Sequence, residues 1–145
     1  MGRLLSIDYG RKRCGIAVTD PMRIVATGLT TVPSHRLEEF LKDYFSREKV
    51  DAVIVGLPTT LRGEPSESMR YINPAIARLR RVFPNLTITF WDERFTSVLA
   101  HRSMLEGGLK KSDRRDKALV DEMSATILLN DYLNSRPIAS NSTSE

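Results

Sequence analysis

The sequence RLLSIDYGRKRCGIAVTD, residues 3–20, decides the fold of this chain. Two short runs rich in apolar and β-branched residues, 3–8 and 14–19, are separated by a turn that holds a glycine and three cations. This pattern predicts two antiparallel β-strands. The first strand ends in Asp8, whose ionised carboxylate is costly to bury unless it is hydrogen-bonded or bound to a cation. Taken alone, Asp8 is best interpreted as a turn residue that accepts backbone hydrogen bonds.

The rest of the chain alternates between predicted helices and strands. A third strand is predicted at 24–32, and an amphipathic helix follows Pro33 with Ser34 as its N-cap. The elements predicted after it are a strand at 51–56, a helix at 64–83 with an irregularity near Asn73, a strand at 86–91, and helices at 96–106 and 116–133.

This order, βββαβαβαα, predicts a three-layer α/β fold with a mixed five-stranded sheet flanked by helices. An antiparallel meander of three strands is joined by two strands that right-handed crossovers make parallel to the first. The carboxyl ends of the parallel strands then lie at one sheet edge, where open α/β sheets bind ligands. We expect a single domain at 1–133 and a disordered polar tail at 134–145.

Composition excludes several classes of protein. The chain has 22 Lys and Arg against 18 Asp and Glu, a net charge of +4 that favours an anionic partner. Cys14 is the sole cysteine and there are two histidines, which excludes an intrachain disulfide and a Cys/His zinc site. No apolar stretch approaches the roughly 20 residues of a membrane span, and no signal peptide is recognisable. We expect a cytoplasmic protein without membrane contact, with Cys14 in its core.

Two further acidic residues are predicted to lie near Asp8. Glu93 lies two residues after the predicted fifth strand, and Asp121 lies beside the apolar stripe of the last helix, close to the small residues Ser124 and Ala125. Each acid alone fits an exposed strand end or the polar side of a helix. Three that converge would form an oxygen-donor set for one or two Mg²⁺ or Mn²⁺ ions, which can activate water against a phosphodiester without a protein nucleophile. We predict that all three are metal ligands and catalytic residues.

Basic residues are clustered beside these acids in the sequence. Gly107 and Gly108 predict a mobile basic loop at 107–117. Cations in such clusters bind phosphate groups, whereas a single cluster can also be a solvated loop. We predict turns near the site at Gly10 and Gly56, and nucleic-acid contacts from Arg11, Lys12, Arg13, Arg94, Lys110, Lys111, Arg114, Arg115 and Lys117.

Four blocks together resemble the YqgF-type, RuvC-like nucleases, a family with a ribonuclease H-like fold described as Holliday junction resolvases and pre-16S rRNA nucleases. The resemblance extends from about residue 3 to 133. The blocks are IDYGRKRCGIAVTD at 7–20, VIVGLP at 53–58, WDERFTS at 91–97 and VDEMSATILL at 120–129.

The resemblance implies a metal-dependent nuclease of the bacterial cytoplasm that matures the end of the small-subunit ribosomal RNA precursor. The acidic residues of the family match Asp8, Glu93 and Asp121. One departure concerns the wider ribonuclease H-like group, in which many members have an acid at the end of the fourth strand. This chain has Gly56-Leu57-Pro58 there, which leaves the number of metal ions open.

Several alternatives stay open at this stage. The substrate could be branched DNA, as for a Holliday junction resolvase, and the protein a monomer or a homodimer. A non-catalytic basic module that binds ribosomal RNA or a transcription complex is also compatible, since acids on one rim do not prove turnover. The ribosome or its precursor is a further candidate partner. The IDYG hairpin also resembles the phosphate-binding opening of actin-like and sugar kinases. These need a second domain, and Ile16-Ala17 occupies the place of the P-loop Lys and Ser/Thr, so we expect weak or no nucleotide binding.

Overall fold

A computed structural model describes residues 2–57, 68–92 and 114–135 of the 145. Five strands and three α-helices lie in these ranges. In chain order they are β1 (Arg3–Tyr9), β2 (Arg13–Thr19), β3 (Ala26–Pro33), a short 3₁₀ turn (Ser34–Arg36), α1 (Leu37–Arg47), β4 (Val50–Leu57), α2 (Met69–Val82), β5 (Thr87–Asp92) and α3 (Arg114–Ser135).

The five strands form one mixed sheet in the order β3-β2-β1-β4-β5. β1 pairs with β2, and β2 with β3, in antiparallel orientation. β4 pairs parallel to β1, and β5 parallel to β4. The predicted meander with two added parallel strands is therefore confirmed.

The two faces of the sheet pack against different helices. Leu5 and Ile7 of β1 belong to a core that contains buried residues of α1 and α2. Leu4 belongs to a second core with Ala125 and Leu129 of α3. Because successive side chains of a strand point to opposite faces, the sheet lies between a layer of α1 and α2 and a layer formed by α3.

Two details of the predicted helices are corrected by the structure. Ser34 does not cap α1: Arg36 precedes this helix without a side-chain cap, and the Ser34 hydroxyl donates to the carbonyl oxygen of Gly10 at 2.5 Å instead. The irregularity expected near Asn73 is not a break, because α2 is continuous from Met69 to Val82 with Pro74 inside it. Proline is tolerated here one turn after the start of the helix, where it removes one intrahelical hydrogen bond.

The ends of the last helix also differ slightly from prediction. α3 begins at Arg114 and extends to Ser135, two residues beyond the predicted limit. The helix predicted at 96–106 and residues 136–145 of the predicted tail lie outside the described residues. In the described part of the chain, α3 has the length of a membrane span, but no helix has the composition for one.

Candidate functional site

Asp8 lies near the end of β1 on the face of the sheet that packs against α3. The Ser6 hydroxyl, two residues earlier on the same strand, donates to the Ala125 carbonyl oxygen of α3 at 2.7 Å. Strand alternation places the Asp8 side chain on the same face as Ser6, and Asp8 is half-buried. The carboxylate therefore faces the layer that also carries Asp121.

Gly15 brings the helix that carries Asp121 next to Asp8. Gly15 is the direct cross-strand partner of Asp8 in the β1–β2 pair, which puts their Cα atoms about 4.5–5.5 Å apart. A Cβ atom at Gly15 would overlap the carbonyl group of Asp121 and lie 2.8 Å from the amide nitrogen of Glu122. Asp8 and Asp121 therefore lie on either side of a position that only glycine can fill.

Sequence reasoning missed this function of Gly15. The available signal was a glycine in the interior of a strand otherwise rich in β-branched residues, which marks a close backbone approach. The expected close packing of α3 is present, since Ser124 and Ala125 are both buried.

Arg13 forms an ion pair with Asp121. Its Nε donates to Oδ2 of Asp121 at 2.5 Å, and the Asp121 side chain is only 14% exposed. The sequence analysis assigned Arg13 to phosphate binding. The structure places its guanidinium against a predicted metal ligand, where it offsets the cost of a mostly buried carboxylate.

Cys14, between Arg13 and Gly15 on β2, is fully buried in the core on the side of α1 and α2, as expected for a core residue. Burial raises the pKa of the Cys14 thiol to about 11, and the nearby charges of Asp8 and Asp121 raise it further against hydrogen bonds with Ser34 and Gly10. Because the thiolate is the reactive form, Cys14 is an inert thiol at neutral pH.

The turn between β1 and β2 is closed by Gly10. The Gly10 N–H donates to the Arg13 carbonyl oxygen at 3.0 Å, and a Cβ atom at Gly10 would lie 2.6 Å from that oxygen. Arg11 and Lys12 are exposed at the tip of this turn. Their side chains are therefore accessible beside the sheet edge that carries Asp8.

Gly56 lies in the middle of the same edge. Ile7 pairs with Val55, and Gly56 pairs with Trp91, so Gly56 is level with Asp8 on the neighbouring strand. Ala52 and Ile54 of β4 pack on the α3 side of the sheet. Because side chains alternate along a strand, the side-chain position of Gly56 also faces α3. Glycine has no side chain, so this face of β4 is open between Asp8 and β5.

Several predicted site residues are not covered by the structure. Glu93, Arg94, Lys110 and Lys111 lie outside the described residues, although β5 ends at Asp92, directly before Glu93. Arg114, Arg115 and Lys117 fall in the opening turn of α3. In the described ranges, no three His, Cys, Asp or Glu side chains are grouped as metal donors. The α3 backbone at Asp121 lies next to Gly15, the cross-strand partner of Asp8, and Glu93 lies outside the described residues.

The chain matches a known protein family over almost its whole length. The family described as "RuvX: Holliday junction resolvase" matches residues 2–135. The chain belongs to the RuvX family. The family resemblance inferred from the four sequence blocks is thereby confirmed.

Curated relatives of this RuvX family member span almost its whole length. A protein of Porphyromonas gingivalis named "Putative pre-16S rRNA nuclease" is 58% identical over 133 residues, which cover 92% of this chain and 96% of the relative. A protein of Parabacteroides distasonis with the same name is 54% identical over 136 residues, 94% and 97% of the two chains.

Solved structures give the fold of the RuvX chain. The RuvC of T. thermophilus in complex with a Holliday junction substrate superimposes with a TM-score of 0.54 at 16% identity, over 92% of this chain and 96% of RuvC. A second Thermus thermophilus RuvC structure gives the same TM-score at 17% identity. The predicted ribonuclease H-like fold is therefore confirmed.

Proposed function

We propose that this RuvX family nuclease hydrolyses phosphodiester bonds in the precursor of 16S ribosomal RNA with the help of divalent metal ions. The observation that supports the proposal is the close approach of the α3 backbone at Asp121 to Gly15, the cross-strand partner of Asp8. Two carboxylates at the ligand-binding edge of a parallel pair of strands fit hard cations such as Mg²⁺ or Mn²⁺. The names of the curated relatives supply the substrate class.

Glu93 is the third donor in this proposal. In the strand register, Trp91 pairs with Gly56, and Gly56 lies next to Asp8. The last residues of β5 are therefore at the same end of the sheet as Asp8 and Asp121. β1 and β5 are separated by two strand spacings, about 10 Å. No side chain of Gly56 fills the space between β1 and β5 on the α3 side of the sheet. A glutamate side chain is also one methylene longer than that of aspartate, which helps Glu93 to span this distance.

The protein groups have distinct tasks in this mechanism. Asp8, Glu93 and Asp121 hold the ions, which when bound supply an activated water and stabilise the leaving oxygen. Arg13 holds the Asp121 carboxylate in place. The protonated Cys14 takes no part as a nucleophile, which leaves water as the attacking group.

Exposed cations at the edge of the site support a nucleic-acid substrate. Arg11 and Lys12 extend from the β1–β2 turn, and Arg94, Lys110, Lys111, Arg114, Arg115 and Lys117 are assigned to the same phosphate-binding surface. An RNA precursor also places the protein in the cytoplasm with the assembling ribosome.

The test is cleavage of a pre-16S RNA fragment by purified protein with Mg²⁺ or Mn²⁺, with the products mapped to the nucleotide. Asp8→Asn and Asp121→Asn should abolish cleavage. The matched control is Glu122→Gln, the neighbouring acid on α3, whose carboxylate lies beside Gly28 rather than Gly15. Unchanged cleavage by Asp8→Asn would refute the proposed site.

Resolution of Holliday junctions is the second candidate function, favoured by the description of the matching family. The same assay with a four-way DNA junction separates the two substrates. A module that only binds RNA would retain its RNA affinity after chelation of metal and after loss of all three acids.

A further inference from the structure

A groove of about 600 Å³ lies beside the β1–β2 turn. Among the described residues, its lining consists of Arg11, Ser68, Arg70 and Tyr71. Arg11 comes from the turn, and the other three come from the start of α2. These described residues include two guanidinium groups, which attract anions.

Charge sets this groove apart from two others on the surface. The groove beside α1 contains Arg36 together with Glu39 and Asp43. A third groove, at the ends of α1 and α2, contains one lysine and one glutamate. Of these three grooves, the one at Arg11 has only cations among its charged described residues.

The Arg11 guanidinium packs on an aromatic ring. Its Cζ lies 5.3 Å from the centroid of the Tyr71 ring, within the range of a cation–π contact. The Tyr71 ring in turn packs against the Tyr9 ring, with 6.1 Å between the two ring centroids. An arginine that is ordered before binding loses less conformational entropy when it grips a phosphate.

The groove and the carboxylates lie on opposite faces of the same strand end. Tyr9 packs on the side of α1 and α2, whereas Asp8 faces α3. Arg11 follows Asp8 by three residues, so their Cα atoms are at most about 11 Å apart. A nucleic-acid strand with one phosphate at Asp8 therefore passes within reach of Arg11.

From this placement we infer that Arg11 and Arg70 bind a phosphate of the RNA strand next to the cleaved bond, and that Tyr71 positions Arg11 for this contact. Guanidinium groups match phosphate oxygens with paired, charge-assisted hydrogen bonds. The inference rests on the proposed function, because its ligand is the strand that occupies the carboxylate site.

The experiment measures binding of a labelled single-stranded RNA by fluorescence anisotropy in EDTA, so that cleavage does not interfere. Salt is varied from about 50 to 200 mM. The slope of log K against log salt is negative, and each lost phosphate contact makes it less steep by about 0.7 for a single strand. Arg11→Gln and Arg70→Gln should each show this loss, and Arg11→Lys should retain most of the slope.

Arg81→Gln is the matched control, since Arg81 is an exposed arginine at the far end of the same helix. Arg11 and Arg70 are also exposed, and the melting temperature of each variant is measured to show that a loss of binding is not a loss of folding. Tyr71→Leu alone should weaken RNA binding. The double variant with Arg11→Gln should bind RNA about as weakly as Arg11→Gln alone. Slopes equal to that of Arg81→Gln in both groove variants would overturn the inference.

The outcomes also separate the groove from the proposed function. Cleavage of RNA by a wild type whose groove variants bind like Arg81→Gln would leave the function intact and remove the groove. If the wild type cleaves no RNA with metal but the groove variants still show a smaller salt dependence, the proposed nuclease function fails and phosphate binding in the groove stands. A wild type that binds no RNA would overturn both.

Discussion

Gly15 of β2 and Asp121 of α3 are in backbone contact, although they are far apart in the sequence. Gly15→Ala should push α3 away from the sheet and destabilise the fold by about 1–3 kcal/mol, the usual cost of overpacking. Cleavage should fall by about 100-fold, because a displacement on the order of 1 Å has that effect on a catalytic group. Urea denaturation and a cleavage assay measure the two effects.

Gly28→Ala is the matched control for this substitution. Gly28 lies on β3, and a Cβ atom there would meet the end of the flexible Glu122 side chain rather than backbone. It should therefore be tolerated much better than Gly15→Ala. Equal losses in the two variants would show that the contact at Gly15 has no special importance.

The ion pair between Arg13 and Asp121 should stabilise the fold measurably. Arg13→Gln leaves a carboxylate that is only 14% exposed without its charged partner, and the expected loss is about 1–3 kcal/mol in chemical denaturation. Arg47→Gln is the comparison, because Arg47 and Asp43 are 57% and 67% exposed and such pairs contribute roughly 0.3–0.5 kcal/mol. A loss at Arg13 no larger than at Arg47 would contradict the importance of the pair.

Cys14 should make stability fall at high pH. Its pKa is raised from 9.0 to about 11 in the folded state, chiefly by burial, so the unfolded chain loses the proton first. The protonated thiol therefore contributes up to about 2–3 kcal/mol to the free energy of unfolding below pH 9, and this contribution is lost as the pH rises to about 11. Urea denaturation across this range should show a smaller fall for Cys14→Ala. Parallel curves for the two proteins would contradict the raised pKa.

Divalent ions should stabilise the protein through the carboxylates. Mn²⁺ at 100 times its dissociation constant should add about 2.7 kcal/mol to the stability, visible as a higher melting temperature. Asp8→Asn and Asp121→Asn should lose most of this shift, and Glu122→Gln should keep it. This readout does not depend on cleavage, and a full shift in Asp8→Asn would exclude Asp8 as a ligand.

Local patterns were enough to predict most of the fold. The apolar and β-branched runs around residues 3–8, 14–19 and 51–56 correspond to β1, β2 and β4. The order of the elements predicted the parallel pairing of β4 and β5 correctly, because crossover handedness restricts the possible topologies. The boundaries were less accurate at Ser34, whose hydroxyl found a partner in a distant turn.

The sequence by itself thus determined the strands, their order, the family and the identity of the acidic candidates, since these depend on periodicity and on short motifs. Only the tertiary structure decided which groups meet. Arg13 and Asp121 are separated by 108 positions, and nothing local distinguishes a phosphate-binding arginine from one that pairs with a carboxylate. The contact of Gly15 with Asp121, and of Arg11 with Tyr71, likewise depends on how α3 and α2 pack on the sheet. Such contacts follow from the three-dimensional register of distant elements, which the side-chain periods of single strands and helices do not specify.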